Sequence, residues 1–221
     1  MQYERILLDF ETQRDYFDAC GKCVYKNADR VISNVRRLFK WVRREHVPVI
    51  STMLWTPQSR DATLGDNSVC VAGTPGSKKV GGTILPKHII FDYRNSTDLP
   101  CALFESYQQV VFESRFSDIF AHPRIDRLVT QLGPSTYIIC GATLDASVIQ
   151  AVLGLRSRGA SVIVVRDAVL VPDGYDAEMG YRRVAAKGAV LCSTSQVITQ
   201  GIPGTKRRRS RRKLVDFHIG S

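Results

Sequence analysis

Along this 221-residue chain, short apolar runs alternate with amphipathic segments almost without a break, and that order admits few architectures. Brief apolar runs separated by segments of helical period are the strands of a parallel sheet with helices on both faces. Ile6-Leu7-Leu8 reads as the first strand. Val31, Ile32, Val35, Leu38, Phe39 and Val42 then recur at three- and four-residue steps, with Arg30, Arg36, Arg37, Arg43 and Arg44 between them and Asn27 placed to cap the helix. Further strands are expected at 47–53, 109–113, 137–140, 162–165 and 189–192, and helices at about 119–132, 145–158 and 177–187. His122-Pro123 should interrupt the first of those helices near its start, and Gly159 should stop the second. The prediction is a three-layer α-β-α, Rossmann-like fold on a six-stranded, mainly parallel sheet.

The stretch from Trp55 to about Pro86 carries Gly65, Gly73, Pro75, Gly76, Gly81 and Gly82. A connection of that length is expected to shape a pocket or an oligomer contact. With 44% apolar residues the chain can bury one substantial core, so residues 1–205 read as one domain and 206–221 as a basic tail. Of the formal charge of +10, the tail carries +6: seven cations between Lys206 and Lys213, offset by Asp216. Such a block repels itself and is expected to be a disordered extension or a nonspecific polyanion contact. No run reaches the roughly 20 apolar residues of a membrane helix, and a cytoplasmic protein is expected. Among six cysteines only Cys20 and Cys23 form a C-x-x-C pair, and His46, His88, His122 and His218 supply no matching zinc spacing. No metal and no cofactor are expected.

The segment Cys140-Gly141-Ala142-Thr143-Leu144-Asp145-Ala146-Ser147-Val148 resembles the nucleophile turn of the isochorismatase-like cysteine hydrolases, C-G-x-x-T-D-x-C-V. Leu7-Leu8-Asp9 followed by Gln13-Arg14-Asp15-Tyr16 resembles their opening D-x-Q-x-D-F element, with two extra residues after the aspartate. Gly73-Thr74-Pro75-Gly76 matches a G-T-x-G loop, and the segment from Val110 to Phe120 is similar to V-V-x-K-x-x-x-S-A-F. The shared order covers about residues 4–200. It implies a base at Asp9, a charge-stabilising lysine at the position of Glu113 and a thiol at the position of Ser147. It also implies a backbone cradle from the N–H groups of Thr143 and Ser147, Trp55 as a pocket wall, a small-molecule ligand and a homo-oligomer. Arg115, two residues beyond Glu113, is a candidate for the missing positive charge. The nicotinamidase metal segment T-x-D-W-H-P is represented by Thr52 to Pro57, with Leu54 and Thr56 at the ligand positions.

Serine for cysteine removes an inherently nucleophilic thiol, and a serine hydroxyl needs a placed base, of which none is evident beside Ser147. Glutamate for lysine puts an acid where the resemblance implies a cation beside Asp9, so one carboxyl there should be raised. Each residue also has a structural reading: Ser147 as a helix-terminal hydroxyl, Glu113 as a strand-end acid, Trp55 as a core aromatic and Asp9 as a loop-orienting group. The reading preferred on the sequence is a degenerate site, non-catalytic or weakly hydrolytic, in a small-molecule binder. The alternatives are a non-thiol hydrolase acting on a small amide or enol ether, and polyanion binding through residues 206–213.

Overall fold

The computed structural model describes residues 3–58, 68–133 and 135–199. The basic tail and part of the glycine-rich connection, including Gly65, lie outside the described residues. Seven strands, β1 (Arg5–Phe10), β2 (Val49–Leu54), β3 (His88–Phe91), β4 (Gln109–Ser114), β5 (Thr136–Gly141), β6 (Ser161–Val169) and β7 (Val190–Cys192), form one sheet in the order β3-β4-β2-β1-β5-β6-β7. Every neighbouring pair is parallel. The expected count of six is therefore corrected to seven. The extra strand is β3, a four-residue edge strand whose Ile90 is 49% exposed.

Side chains alternate faces along each strand, and the two cores divide accordingly. Ile6, Leu8 and Phe10 pack with α4 (Pro123–Leu132), α5 (Ile149–Ser157) and α6 (Ala177–Ala186), through Ile125, Val129, Val152, Leu155 and Val184. Leu7, Val49, Ile138, Cys140 and Ile163 pack with α2 (Ala28–Glu45) and α7 (Thr194–Thr199), through Val31, Val35, Leu38, Phe39, Val42 and Val197. The amphipathic period of α2 is thus its buried stripe. Asn27 occupies the N-cap position but makes no side-chain cap bond. Single turns α1 (Arg14–Phe17) and α3 (Leu103–Ser106) complete the helices. The segment expected as one helix from Asp145 begins instead as a π-helical turn, Leu144–Val148, that runs into α5, and Gly159, at φ +75°, follows its end.

From β1 the chain reaches β2 on one side and β5 on the other, so the order reverses around β1. In open α/β sheets, ligands bind at the carboxyl ends of strands beside such a reversal. Gly141 is what lets β5 end there: a Cβ on it would lie 2.0 Å from the Phe10 carbonyl oxygen.

Candidate active site

Asp9 is the penultimate residue of β1 and is fully buried. Its Oδ2 accepts from Ser51 Oγ at 2.8 Å and Thr12 Oγ1 at 3.3 Å, and forms an ion pair with Lys79 Nζ at 2.7 Å. Ser51 is oriented in turn by Gln109 Nε2 at 2.8 Å. Asp9 Oδ1 is buried with no partner among the described residues, which leaves one carboxylate oxygen of an ion-paired group free to accept a proton or hold a water.

Lys79 is delivered by the G-T-P-G loop. A Cβ on Gly76 would overlap the Asp15 carboxylate at 2.0 Å, so glycine permits the loop to close on α1. Asp15 Oδ2 accepts from Cys70 N–H at 2.6 Å on the same side. Residues 78–80 then run antiparallel to residues 12–14: Gln13 bridges to Lys79, Arg14 N–H donates to the Lys78 carbonyl and Val80 N–H to that of Thr12. Gln13 locks the corner by donating to the carbonyls of Leu54 and Ser77 while accepting from Leu54 N–H. The Lys79 side chain, 1% exposed, is thereby aimed at Asp9.

A second pair lies beside the first. Ser147 Oγ, buried in the π-helical turn, donates to Glu11 Oε1 at 3.0 Å. Burial pushes the Glu11 carboxyl up to about 7, against the opposing pull of the Ser147 hydrogen bond and the Lys79 charge. Lys79 therefore acts on both carboxyls. Glu11 holds a positive φ of 44°, within the two-residue extension that separates Asp9 from Gln13. The sequence contains no obvious partner for Ser147, and Glu11 is the one folding provides; the extension inside an otherwise matching motif is the one sequence signal that could have drawn attention to it.

Asp9 and Ser147 thus sit at the same strand ends, but Glu113 does not join them. Asp9 is level with Ser51 and Val111, whereas Glu113 pairs with Met53, two strands away and two residues farther along. Strand spacing and rise put those Cα atoms about 12 Å apart, beyond what a glutamate can span to Asp9. Burial raises the Glu113 carboxyl and the charge of Asp92 adds to the shift. Arg115 does not replace the lysine either: its guanidinium lies against the rings of Tyr93 and Trp55, with Cζ 4.2 and 4.7 Å from their centroids. The Ala142–Thr143 peptide is cis, and the Thr143 carbonyl accepts from Ala146 and Val148. Cys140, at the start of the motif, is fully buried, and burial holds its thiol well above the usual range. It is no substitute nucleophile.

The nicotinamidase-type metal segment lacks a fitting donor set. Leu54 carries no ligating atom, and Thr56 Oγ1 donates to the Val69 carbonyl at 2.7 Å. Among the described residues no group of three His, Cys, Asp or Glu is placed to hold an ion.

The family model for the isochorismatase domain matches residues 6–196. The chain belongs to the isochorismatase family. Within the family it is 30% identical, over 101 residues, to the secreted isochorismatase effector Isc1 of Phytophthora sojae strain P6497, a match covering 44% of this chain and 48% of that protein. This isochorismatase-family chain spans about half the length of that relative. Among solved structures it is similar to the nicotinamidase/pyrazinamidase PncA of Bacillus subtilis, at TM-score 0.68 and 13% identity over 87% of this chain and all of that one. It is also similar to the pyrazinamidase of Pyrococcus horikoshii in complex with zinc, at TM-score 0.65 and 20% identity over 86% and 99%, and to the N-carbamoylsarcosine amidase of Thermoplasma acidophilum, at TM-score 0.63 and 18% identity over 88% and 97%. These likenesses show the fold.

Proposed function

We propose that this chain is a non-thiol hydrolase that cleaves a small enol ether by acid–base chemistry, with Glu11 as proton donor and Asp9 as the group that orients and deprotonates water. The observation that carries this reading is the pair of buried contacts, Glu11 with Ser147 and Asp9 with Lys79, joined through the lysine charge. A carboxyl titrating near 7 is populated in both forms at neutral pH, which is the optimum for a general acid. With its proton on Oε2, Glu11 still accepts from Ser147 through Oε1, so the hydrogen bond holds the acid in place.

The proton passes from Glu11 to the vinyl carbon, leaving an oxocarbenium ion. Water adds to the adjacent carbon and yields its proton to Asp9 Oδ1. As the resulting hemiketal breaks to a ketone and an alcohol, Asp9 returns its proton to the departing oxygen and Glu11 takes the hydroxyl proton, so one water is consumed and both groups are restored. Lys79 offsets the negative charge that Glu11 develops as it gives up its proton. A serine nucleophile acting on a small amide is the weaker mechanism. Taking the Ser147 proton onto a carboxyl near 7 is uphill by several pKa units at about 1.4 kcal/mol each.

The non-catalytic binder is favoured instead by the residues themselves, a serine and a glutamate standing where the resemblance implies a thiol and a lysine; with Asp9, Ser147 and Glu11 0%, 1% and 7% exposed, either reading needs its ligand to enter past covering segments. The full chain supplied with isochorismate, in a coupled assay for released pyruvate, decides between the two readings. Turnover abolished by Glu11→Gln supports the hydrolase, and none above background at millimolar substrate supports the binder.

No helix among the described residues is long and apolar enough to cross a membrane. A homo-oligomer rests on the family resemblance, and polyanion contact through residues 206–213 on the basic composition. Salt-dependent binding of an RNA homopolymer, lost on deleting 206–213 and retained in Glu11→Gln, would support the last.

A further inference from the structure

A cavity of 360 Å³ opens at the carboxyl ends of β3 and β4, against the start of α4, lined by Tyr93, Arg94, Arg115, Phe116 and His122 among others. Neither Asp9, Glu11, Lys79 nor Ser147 lines it. We propose that it binds a planar aromatic carboxylate carrying a hydroxyl group, at a site separate from the hydrolytic groups.

The carboxylate is read by Arg115. Its guanidinium is braced against Tyr93 and Trp55, whose own rings stack at 3.8 Å between centroids. Among the described residues it forms no ion pair, whereas Arg94 and Arg124 are both committed to Asp92. A guanidinium fixed by two rings and lacking a counter-ion presents its fork to a carboxylate at little entropic cost. The aromatic part of the ligand is read by Phe116, which is 60% exposed where a ring that size would ordinarily be covered.

The hydroxyl is read by His122, which is 4% exposed. Its Nε2 lies 3.3 Å from the Asp92 carbonyl, which can only accept, so Nε2 carries the hydrogen. Nδ1 is then a bare acceptor, buried with no partner among the described residues. It needs a donor, and a ligand hydroxyl supplies one. The cavity volume lies within the range of small-molecule sites.

The inference stands apart from the hydrolase reading, and its test does not require turnover. Isothermal titration of the full chain with 3-hydroxybenzoate should give saturable binding. The uncharged 3-hydroxybenzamide should bind about tenfold or more weakly and benzoate a few-fold more weakly, as expected for losing a charge-assisted and a neutral hydrogen bond. Arg115→Gln, a change at an exposed position, should weaken both acids about tenfold and leave the amide unchanged, and Glu11→Gln should bind as the wild type does. The proposal is overturned by no saturable binding to the wild type at millimolar concentration, by equal affinity for acid and amide, or by indifference to Arg115→Gln. Loss of binding in Glu11→Gln would place the ligand among the hydrolytic groups and overturn it as well.

Discussion

Glu11 and Glu113 both stand at the carboxyl end of the sheet, and both carboxyls are raised chiefly by burial. Their surroundings differ in kind. Glu11 is fully enclosed, accepts from a serine hydroxyl and feels a buried ammonium, while Glu113 is half-buried and its second influence is another acid, Asp92. A carboxyl held by groups that oppose its neutralisation stays poised between two protonation states. One pushed the same way by burial and by a like charge simply favours its neutral form. In the proposed mechanism, chemistry therefore belongs to the glutamate that lies outside the family pattern, and the one occupying the lysine position is a bystander to it.

The sharpest way to break this contrast is to remove each acid in turn. Glu11→Gln keeps the acceptor for Ser147 and loses the proton donor. Enol-ether turnover should fall about 10²- to 10⁴-fold, while Glu113→Gln should stay within about twofold. Steady-state kinetics on both variants check this, and a large loss in Glu113→Gln would reverse the assignment. Lys79→Met tests the shared cation. It strands the Asp9 carboxylate in a buried site, and a penalty of about 3–5 kcal/mol is expected in urea unfolding. The same change in the exposed Lys78 should be silent within about 0.5 kcal/mol.

The sheet and its helices could be read from the sequence because buried parallel strands are nearly continuous apolar runs, as at Tyr137 to Cys140 and Val162 to Val165. β3 could not, since four residues at an exposed edge carry little of that signal. Asp9 and Ser147 were legible through motifs attached to regular elements. Lys79 and Glu11 were not, because each is placed by nonlocal pairing: residues 78–80 against 12–14, and an extended strand end turned toward the π-helical turn. Glu113 entered the candidate site through its motif position alone, and across the two-strand gap a side chain shorter than lysine does not reach Asp9.

A smaller effect of the same contrast appears in stability. An unfolded glutamate titrates near 4.5 and folded Glu11 near 7, so between those values the native state holds a proton that the unfolded state has lost. Stability from this group is complete below about 4.5, declines as pH rises through 7 and is constant above, a loss of about 3 kcal/mol. Glu11→Gln should abolish that decline, so the variant gains on the wild type in urea melts at pH 8 and not at pH 4.5. Glu113→Gln should change the pH profile far less. A melt in which Glu11→Gln and the wild type keep the same difference from pH 4.5 to 8 would remove the raised carboxyl from the argument.

The smallest effect separates Ser147 as a holder of the acid from Ser147 as a nucleophile. Its hydrogen bond lowers the Glu11 pKa, so Ser147→Ala should move the alkaline limb of the pH–rate profile upward, because a general acid fails only above its own pKa. Turnover below that limb should fall no more than about tenfold, the cost of a proton donor less firmly held. Stability should fall by about 1–3 kcal/mol above pH 7, where the lost bond is one to an ionised carboxylate, and by less at pH 4.5. A nucleophilic serine predicts the opposite pattern: turnover abolished at every pH, with no limb left to shift. Since both roles leave the fold intact, the shape of that profile, and not the size of the loss at a single pH, assigns the hydroxyl.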